Sequence, residues 1–240
     1  MLQRSRIIRL YTDCCKGRTV LEIPGTVSKI VCVARNYSDD ISERSAPLAT
    51  RMQSAAIFCK PPSSIASIEP TINIHGLKDV VCETELALLI GKGLPRKVCG
   101  VAKKDVIESI AGIGVALDLT RKDLQATLKA EGKPWELAKG FDNACPISKF
   151  CKVSGYEWAE SDIDIRLMHN GKLTLHQTTG DMILPIVDLV IAMTQHMSFW
   201  PGDIILTGTP TKPNPPPRLQ PDDKLTASLG SYITVETSVV

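Results

Sequence analysis

The sequence predicts a single β-rich α+β domain with few and short helices. Its apolar residues fall into short runs rich in β-branched side chains, and Gly, Pro, Asn and Asp separate these runs. Runs of this length, bounded by turn-forming residues, are typical of β-strands. The chain has 240 residues, which is enough to bury a substantial core, and one domain accommodates all of the runs.

Composition argues against several classes of function. The formal net charge is +2, and acidic and basic residues are mixed along the chain, so nothing favours nucleic acid or an anionic membrane surface as a partner. The apolar run at residues 183–193 is interrupted by Pro185 and Asp188 and is shorter than the roughly 20 residues that a membrane-spanning helix needs. We therefore expect a small-molecule ligand, with no nucleic acid and no membrane as partner.

Cysteine usage and the N-terminal residues bear on the compartment. The eight cysteines are scattered without a Cys-x-x-Cys pair, which favours buried free thiols in a reducing compartment over a disulfide framework or a zinc site. We expect a cytoplasmic protein on this ground. Residues 1–11 carry Arg4, Arg6 and Arg9 and no acid. This pattern is compatible with an organelle transit peptide, and hence with a mitochondrial location, as well as with an ordinary first strand.

The individual elements follow from the same patterns. Strands are predicted over residues 29–34, 55–60, 80–91, 112–120, 163–168, 203–209 and 232–237. Helices are predicted over residues 105–110, from Thr120 to Gly132, and from near Asp181. The second helix is placed at Thr120 because Thr120 and Asp123 have the spacing of a capping box, and the third tolerates Pro185 in its first turns. Residues 210–218 contain five prolines and are predicted to form an irregular loop.

Two glutamates in the third predicted strand are candidate ligands. Glu83 and Glu85 are two residues apart in the run 80–91, so a strand directs both side chains to one face. A half-buried pair of carboxylates is costly unless a cation or a proton lies between them. An exposed polar end of a strand would explain the same spacing without any ligand, and the spacing alone leaves both interpretations open.

Asp118 favours the first interpretation. It follows the apolar run 112–117, which predicts a buried strand, and a buried acid needs a partner. Three carboxylates form a hard-oxygen site, which suits Mg²⁺ better than zinc, with Mn²⁺ and Ca²⁺ as alternatives. Positions on such an ion that the protein leaves free are where a substrate would bind.

Seven short motifs occur in order along the chain: 29–37 (KIVCVARNY), 58–61 (FCKP), 83–86 (ETEL), 116–120 (ALDLT), 132–139 (GKPWELAK), 145–146 (CP) and 206–210 (LTGTP). Together they resemble the signature of the fumarylacetoacetate hydrolase family. The closest likeness is to its small single-domain branch of acylpyruvate hydrolases, oxaloacetate decarboxylases and 2-hydroxyhepta-2,4-diene-1,7-dioate isomerases. We therefore interpret residues 1–240 as one catalytic domain, with an N-terminal strand segment (1–26), a family core (27–210) and a loop with a C-terminal hairpin (211–240).

The resemblance implies a fold, an assembly and a set of roles. The implied fold is the family's mixed β-roll with few short helices, usually as a homodimer. Glu83, Glu85 and Asp118 match the family's metal ligands, and Lys139 matches the lysine that contacts the bound oxo acid. Lys122 stands where the family has Arg, and a lysine does not reproduce the bidentate carboxylate contact of an arginine. The residues that match substrate-binding positions are Arg35, Lys122, Gln125 and Thr209.

The segment after the Arg-Asn-Tyr motif departs from the hydrolytic members. Those members have a His and, three residues on, a Glu that activate a water; here Asp40 takes the place of the His, and Glu43 matches the acid. An Asp with its ordinary pKa of about 3.9 is a weak base near neutral pH. Either Asp40 and Glu43 share a proton that raises one pKa, or the reaction needs no activated water, as in decarboxylation or tautomerisation. We prefer the second explanation, and a solvated loop would explain both acids without a catalytic role.

The predicted function is that of a Mg²⁺-dependent lyase, hydrolase or isomerase acting on a small 2-oxo acid of the oxaloacetate, acylpyruvate or dienedioate type. Such an acid would chelate the ion through its carboxylate and keto oxygens, and Lys139 would neutralise the charge of the enolate. The alternative is a family member without the hydrolytic pair that keeps the metal and the pocket and acts as a binding or scaffold protein.

Overall fold

Two β-sheets form the framework of the chain in a computed structural model, which describes residues 10–12 and 18–240. The strands are β1 (Leu10–Thr12), β2 (Thr19–Leu21), β3 (Ile30–Ala34), β4 (Ala56–Lys60), β5 (Ile65–Ser67), β6 (Thr71–Ile72), β7 (Val80–Ile90), β8 (Ile110–Arg121), β9 (Cys145–Ile147), β10 (Phe150–Lys152), β11 (Asp164–His169), β12 (Lys172–Thr178), β13 (Ile204–Leu206), β14 (Lys224–Leu229) and β15 (Ile233–Val239). The predicted β-rich class is confirmed, and each predicted strand exists with shifted ends. Predictions that involved Arg4, Arg6, Arg9, Cys14 and Cys15 lie outside the described residues.

The larger sheet has ten strands and contains the strand pair on which the site depends. Its main path runs β1-β2-β10-β8-β7-β13-β3-β4, and β9, with β5 beside it, branches from β8. Strands β7 and β8 pair antiparallel along almost their whole length, and β13 joins β7 antiparallel and β3 in parallel. The smaller sheet has five strands in the order β12-β11-β14-β15-β6.

Seven α-helices occur in the described part of the chain, against three that were predicted. They are α1 (Ile41–Ser45), α2 (Leu48–Ser54), α3 (Lys103–Ser109), α4 (Lys122–Ala130), α5 (Glu136–Lys139), α6 (Glu157–Glu160) and α7 (Ile186–Thr194). The predicted helices correspond to α3, α4 and α7. The other four have only four to seven residues, too few to show a helical period in the sequence. None of the helices in the described ranges has the length and hydropathy that a membrane span requires.

Helices α4 and α7 begin later in the chain than the sequence predicts. Thr120 is not a capping residue, because β8 extends past it and its hydroxyl donates a hydrogen bond to Glu83 Oε2 at 2.9 Å. Helix α7 begins directly after Pro185, and Asp181 belongs to a separate 3-10 turn, Thr179–Asp181. The Thr120 side chain therefore contributes to the site rather than to the helix.

The two faces of β7 explain why its sequence is an almost unbroken apolar run. Leu86 and Leu88 belong to the larger hydrophobic core, to which the smaller sheet, α3 and α7 also contribute. Ala87 belongs to a second core on the opposite face, together with side chains of β3, β9 and β13. The alternation of the strand continues this second face into Glu85 and Glu83. The two glutamates thus extend a buried apolar face, where unpaired carboxylates are costly.

Six cysteines lie in the described part of the chain, and Cys32, Cys59, Cys82, Cys99 and Cys145 are free thiols. Cys32, Cys82, Cys145 and Cys151 are buried, as predicted, whereas Cys59 and Cys99 are exposed. Burial raises the pKa of Cys145 to about 12. A thiol with a raised pKa is a poor nucleophile near neutral pH, so Cys145 contributes packing rather than reactivity.

Gly112→Ala is expected to destabilise the fold. A Cβ at this position of β8 would lie 2.9 Å from the Cys151 carbonyl oxygen and 3.0 Å from Phe150 Cβ, both on the neighbouring strand β10. We expect a loss of roughly 1–3 kcal/mol in the free energy of unfolding, as for other overpacked positions, measured by urea denaturation. Gly25→Ala is the matched control, because nothing lies within 4 Å of its added methyl group. An equal loss in both variants would argue against the close packing of β8 on β10.

Candidate active site

A cavity of about 460 Å³ lies beside the β7–β8 pair, and the three predicted metal ligands line it. Glu83 is directly opposite Asp118 in the antiparallel register, and Glu85 is two residues further along β7, on the same face of the strand. Glu85 and Asp118 are almost completely buried. The other residues that line the cavity are Val33, Ala34, Arg35, Tyr37, Lys122, Gln125, Lys129, Trp135, Lys139, Thr209 and Thr211.

The ammonium group of Lys139 joins two of the three carboxylates. It donates hydrogen bonds to Glu83 Oε2 at 2.6 Å and to Asp118 Oδ2 at 2.5 Å, and the lysine is only 2% exposed. The one-turn helix α5, which packs against β8 and β4, ends at Lys139 and places it here. Charge-assisted hydrogen bonds of this kind are stronger than neutral ones, and a buried ion pair needs them to offset the loss of water.

A second buried lysine, Lys60 at the end of β4, approaches Asp118 from another direction. Its ammonium nitrogen lies 2.8 Å from Asp118 Oδ1. It also donates hydrogen bonds to the backbone carbonyls of Leu119 at 3.1 Å, Ala144 at 2.9 Å and Lys139. These three carbonyls use the three protons of the ammonium group. Asp118 Oδ1 is therefore buried beside a positive charge but lacks a hydrogen-bond donor among the described residues.

The turn after β13 supplies the partner of Glu85. The Gly208 N–H donates a hydrogen bond to Glu85 Oε2 at 2.6 Å, and the Thr209 hydroxyl donates to the Thr84 carbonyl at 3.0 Å. Gly208 has a φ of +97°, and a Cβ there would lie 3.0 Å from Asn36 Cβ. Positive φ and lack of space both favour glycine, which accounts for the glycine in the 206–210 motif.

The two glutamates differ in how well their charge is balanced. Burial raises the pKa of Glu83, but Lys139 and Lys122 outweigh it and lower that pKa to about 2. Burial and the charge of Asp118 raise the pKa of Glu85 well above its ordinary value. Burial opposes the charged form of Lys139, but Asp118 and Glu83 outweigh it and raise the pKa of the lysine. The negative charge of Glu85 is thus less well balanced than that of Glu83, and a proton or a cation would stabilise it.

The donor set fits a hard divalent cation. Asp118 Oδ1 is buried without a hydrogen-bond donor in the described part of the chain, and the charge of Glu85 is poorly balanced. Cation binding would relieve both. Glu83, Glu85 and Asp118 are not arranged as a ready set of ligands for one ion. Within residues 10–12 and 18–240, no three acidic, His or Cys side chains have such an arrangement. The Lys139 ammonium joins Glu83 and Asp118 instead, so an ion would have to share these two acids with Lys139 or displace it.

The structure brings most of the predicted site residues together. Lys139 and the predicted substrate-binding residues line the same cavity as the three acids. Gln125 is buried on α4, and the Lys122 ammonium lies 3.2 Å from Glu83 Oε1. Arg35 has a φ of +61° at the end of β3. The predicted substrate-binding residues found in the lining are Arg35, Lys122, Gln125 and Thr209.

Asp40 and Glu43, the predicted catalytic acids, lie outside the cavity lining. Both residues are exposed. Asp40 is the N-cap of α1 and accepts a hydrogen bond from the Ser42 N–H at 2.8 Å. This bond lowers the pKa of Asp40, whereas a proton shared with Glu43 would raise one of the two pKa values. The Asp40 carboxylate caps a surface helix, so the structure gives no support to a proton shared with Glu43, and that explanation stays a prediction.

Several side chains that shape the cavity were not predicted from the sequence. The Tyr37 hydroxyl is buried and has no hydrogen-bond partner among the described residues. The Lys129 ammonium lies 4.7 Å from the centroid of the Trp135 ring. Two sequence signals could have identified residues of the site. Lys60 is a charged residue in the apolar run 55–60, which indicates a buried lysine that needs a partner, and Trp135 lies within the 132–139 motif. No local pattern marks Lys129.

Comparison with known proteins defines the class of this chain. The family model described as fumarylacetoacetate (FAA) hydrolase C-terminal matches residues 29–240. The chain is 36% identical over 207 residues to the oxaloacetate tautomerase YcgM of Escherichia coli (strain K12). That match covers 86% of this chain and 90% of the E. coli protein. It is also 34% identical over 213 residues to the mitochondrial oxaloacetate tautomerase FAHD1 of Arabidopsis thaliana. That match covers 88% of this chain and 91% of the Arabidopsis protein.

A solved structure agrees in fold. The fumarylpyruvate hydrolase of Pseudomonas aeruginosa, in complex with Mn²⁺ and pyruvate, superimposes with a TM-score of 0.76 at 23% identity, over 96% of this chain and 99% of that one. Fold, cavity and relatives together define a β-rich enzyme with an acidic site that contains lysine. The chain belongs to the fumarylacetoacetate hydrolase family, as its ordered motifs predict.

Lys60→Met is expected to destabilise the protein strongly. The variant keeps an apolar stem but leaves Asp118 with one cation fewer and three buried carbonyls without this donor. We expect a loss of about 3–5 kcal/mol in the free energy of unfolding, the range for a broken buried ion pair, by urea denaturation at neutral pH. Lys92→Met is the control, because its ion pair with Glu108 is exposed and such pairs contribute at most about 1 kcal/mol. A similarly small loss for Lys60→Met would show that Asp118 does not depend on this lysine.

Proposed function

We propose that this chain is a divalent-metal-dependent enzyme that acts on a small 2-oxo acid, by tautomerisation or decarboxylation rather than by hydrolysis. The observation that carries the proposal is the cavity in which Glu83, Glu85 and Asp118 meet the buried Lys139. The two relatives named as oxaloacetate tautomerases support the substrate class. Mg²⁺ is the proposed ion, with Mn²⁺ and Ca²⁺ as alternatives, because the acidic donors are all oxygens.

The three acids and Lys139 have different roles in the proposed reaction. Glu83, Glu85 and Asp118 would hold the ion, and a bound divalent ion supplies a Lewis acid that polarises the keto oxygen of the substrate. The raised pKa of Lys139 keeps its ammonium protonated near neutral pH. Lys139 therefore acts as a cation and hydrogen-bond donor toward an enolate oxygen, and not as the base.

Three neutral side chains orient the substrate. Gln125 is buried in the cavity wall, where its amide can donate to a carboxylate. The Thr209 hydroxyl donates its one proton to the Thr84 carbonyl in this structure, so it would have to turn away from that carbonyl to donate to a substrate oxygen. Burial and the charge of Glu85 raise the pKa of Tyr37, so its hydroxyl stays protonated and is a donor that a substrate oxygen could use.

The position of Asp40 argues against hydrolysis. A hydrolytic water needs a general base within hydrogen-bond reach and with a pKa near the working pH. Asp40 is exposed on α1, and its hydrogen bond with Ser42 lowers its pKa further. Among the described residues that line the cavity there is no histidine to replace it.

The test is an assay of the purified protein with Mg²⁺ or Mn²⁺ on oxaloacetate and on acetylpyruvate. We expect enol–keto conversion or decarboxylation of oxaloacetate, lost on chelation of the metal and restored when it is added back. Turnover of neither compound, with a 2-oxo acid still bound, would favour the alternative of a binding or scaffold protein.

Glu85→Gln is expected to abolish stabilisation by metal. A ligand at 100 times its Kd stabilises a folded protein by about 2.7 kcal/mol, so Mg²⁺ should raise the Tm of the parent protein. The amide of the variant keeps the shape of the acid but removes the charge that the ion needs. Differential scanning calorimetry with and without Mg²⁺ measures the shift, and Glu108→Gln, at an exposed acid of α3, should keep it. An undiminished shift in Glu85→Gln, or none in the parent protein, would refute the metal site.

Asp40→His is expected to raise acylpyruvate cleavage more than oxaloacetate decarboxylation. A neutral imidazole accepts a proton near neutral pH, and an Asp with a lowered pKa does not. Initial rates on the two substrates measure the ratio, with Asp39→His as the control at the neighbouring exposed acid. An equal change in both rates would mean that this position does not separate the two reactions.

The assembly and the compartment stay predictions. The homodimer implied by the family resemblance can be tested by light scattering of the purified protein. A cytoplasmic or a mitochondrial location can be tested by cell fractionation, and the relative from Arabidopsis thaliana named as mitochondrial supports the second alternative.

A further inference from the structure

A second group of positive charges lies at the edge of the cavity, and the proposed chemistry does not use it. Lys129 on α4 lines the cavity but is exposed. Its ammonium nitrogen lies 4.7 Å from the centroid of the Trp135 ring, within the range of a cation–π contact. The Trp135 ring in turn lies 6.0 Å from the Phe58 ring, centroid to centroid, and the Lys139 ammonium lies 5.0 Å from the Phe58 centroid. A pair of aromatic rings therefore has one lysine at each end, Lys139 in the acid cluster and Lys129 at the edge of the cavity.

The charges around Lys129 are mostly positive. Partial burial and the charges of Lys122, Arg35 and Lys139 lower the pKa of Lys129, and Glu83 is the acid that opposes them. Lys122 and Lys139 both form ion pairs with Glu83. Within the part of the chain that the structure describes, neither Lys129 nor Arg35 forms an ion pair with a carboxylate. One carboxylate, Glu83, thus faces four cations of the cavity lining, so this edge of the cavity is suited to a negatively charged group from outside the chain.

We propose that Lys129, with Arg35 nearby, binds the distal carboxylate of the substrate, so that the cavity selects 2-oxo dicarboxylic acids over 2-oxo monocarboxylic acids. This inference rests on the proposed function, because the 2-oxo acid end of the substrate occupies the acid cluster. Trp135 positions Lys129, and Phe58 supports Trp135 from the other end of the aromatic pair.

A neighbouring cavity defines the competing outcome. Its volume is about 300 Å³, and it shares Trp135 and Lys139 with the first. Its lining is largely apolar, with Ala56, Ile57, Phe58 and Pro134 among its residues. An apolar acyl group would be suited to this second cavity, and binding there would not depend on the charge of Lys129.

The test compares two 2-oxo acids of equal carbon number by titration calorimetry in the presence of Mg²⁺. They are 2-oxoglutarate, which has a distal carboxylate, and 2-oxopentanoate, which has a methyl group instead. We expect the parent protein to prefer 2-oxoglutarate. Lys129→Met should raise the Kd of 2-oxoglutarate about tenfold, as for loss of a bond to a charged group, and change that of 2-oxopentanoate by less than about twofold. Lys129→Arg keeps the charge and should retain the preference.

Two further variants separate a local role from a general loss of charge. Lys133→Met removes an exposed lysine that pairs with Glu131 and does not line the cavity, and it should leave both Kd values unchanged. Trp135→Leu should weaken 2-oxoglutarate binding and add little when combined with Lys129→Met, because residues that act as a unit are not additive. Full additivity would overturn the positioning role of Trp135.

The results distinguish this inference from the function on which it rests. If both acids bind the parent protein and Lys129→Met weakens both equally, or if the parent protein shows no preference, the distal-carboxylate site is overturned and the proposed function stands. If neither acid binds the parent protein with Mg²⁺ present, the inference fails, and the turnover of oxaloacetate decides separately whether the proposed function stands.

Discussion

Glu83 and Asp118 face each other across two paired strands inside the protein, and the rest of the site depends on how their charge is balanced. A carboxylate removed from water costs several kcal/mol unless a cation and hydrogen bonds replace the solvent. Lys139 provides both for the two acids, and Lys60 adds a second positive charge beside Asp118. Helix α5 and the end of β4 each carry one of these lysines to the β7–β8 pair.

The charge of the third acid, Glu85, is not balanced in this way, and this makes the cavity a candidate site for a cation. Glu85 lies on the same face with its charge poorly balanced, and the N–H of Gly208 is its nearest donor. A site that still attracts a cation can bind one together with a chelating anion. In the function that we propose, the positive charge of Lys139 is then available for the negative charge that develops on the substrate. Structural stability and reactivity thus draw on the same ion pairs.

Patterns that span a few residues predicted a large part of this arrangement. The two-residue spacing predicted that Glu83 and Glu85 share one strand face, and the apolar run before Asp118 predicted a buried acid. The structure places all three along one cavity, and their grouping as ligands came from the family resemblance. Local patterns failed where a tertiary contact prevailed. Thr120 and Asp123 have the form of a capping box, but β8 extends through Thr120 and its hydroxyl bonds to Glu83 across the sheet.

Long-range contacts account for most of what the sequence did not show. Lys60 reaches Asp118, which is 58 positions further along the chain, and nothing in its neighbours specifies that partner. Lys129 contacts Trp135 only because the fold of α4 and of the segment after α4 brings the two side chains together. No pattern around Lys129 in the sequence shows this contact. Asp40 shows the opposite case. Its family position suggested catalysis, but its nearest hydrogen-bond donor is the N–H of Ser42, two residues on, and it caps a short helix.

The central claim is that Glu83, Glu85 and Asp118 bind one divalent ion together with a 2-oxo acid. The most direct measurement is a crystal structure of the protein soaked with Mn²⁺ and oxalate, with the metal located by its anomalous scattering. We expect one Mn²⁺ bound by all three carboxylates, with oxalate on the ion and the Lys139 ammonium against oxalate. Mn²⁺ elsewhere in the protein, with Lys139 still joining Glu83 to Asp118, would contradict the account.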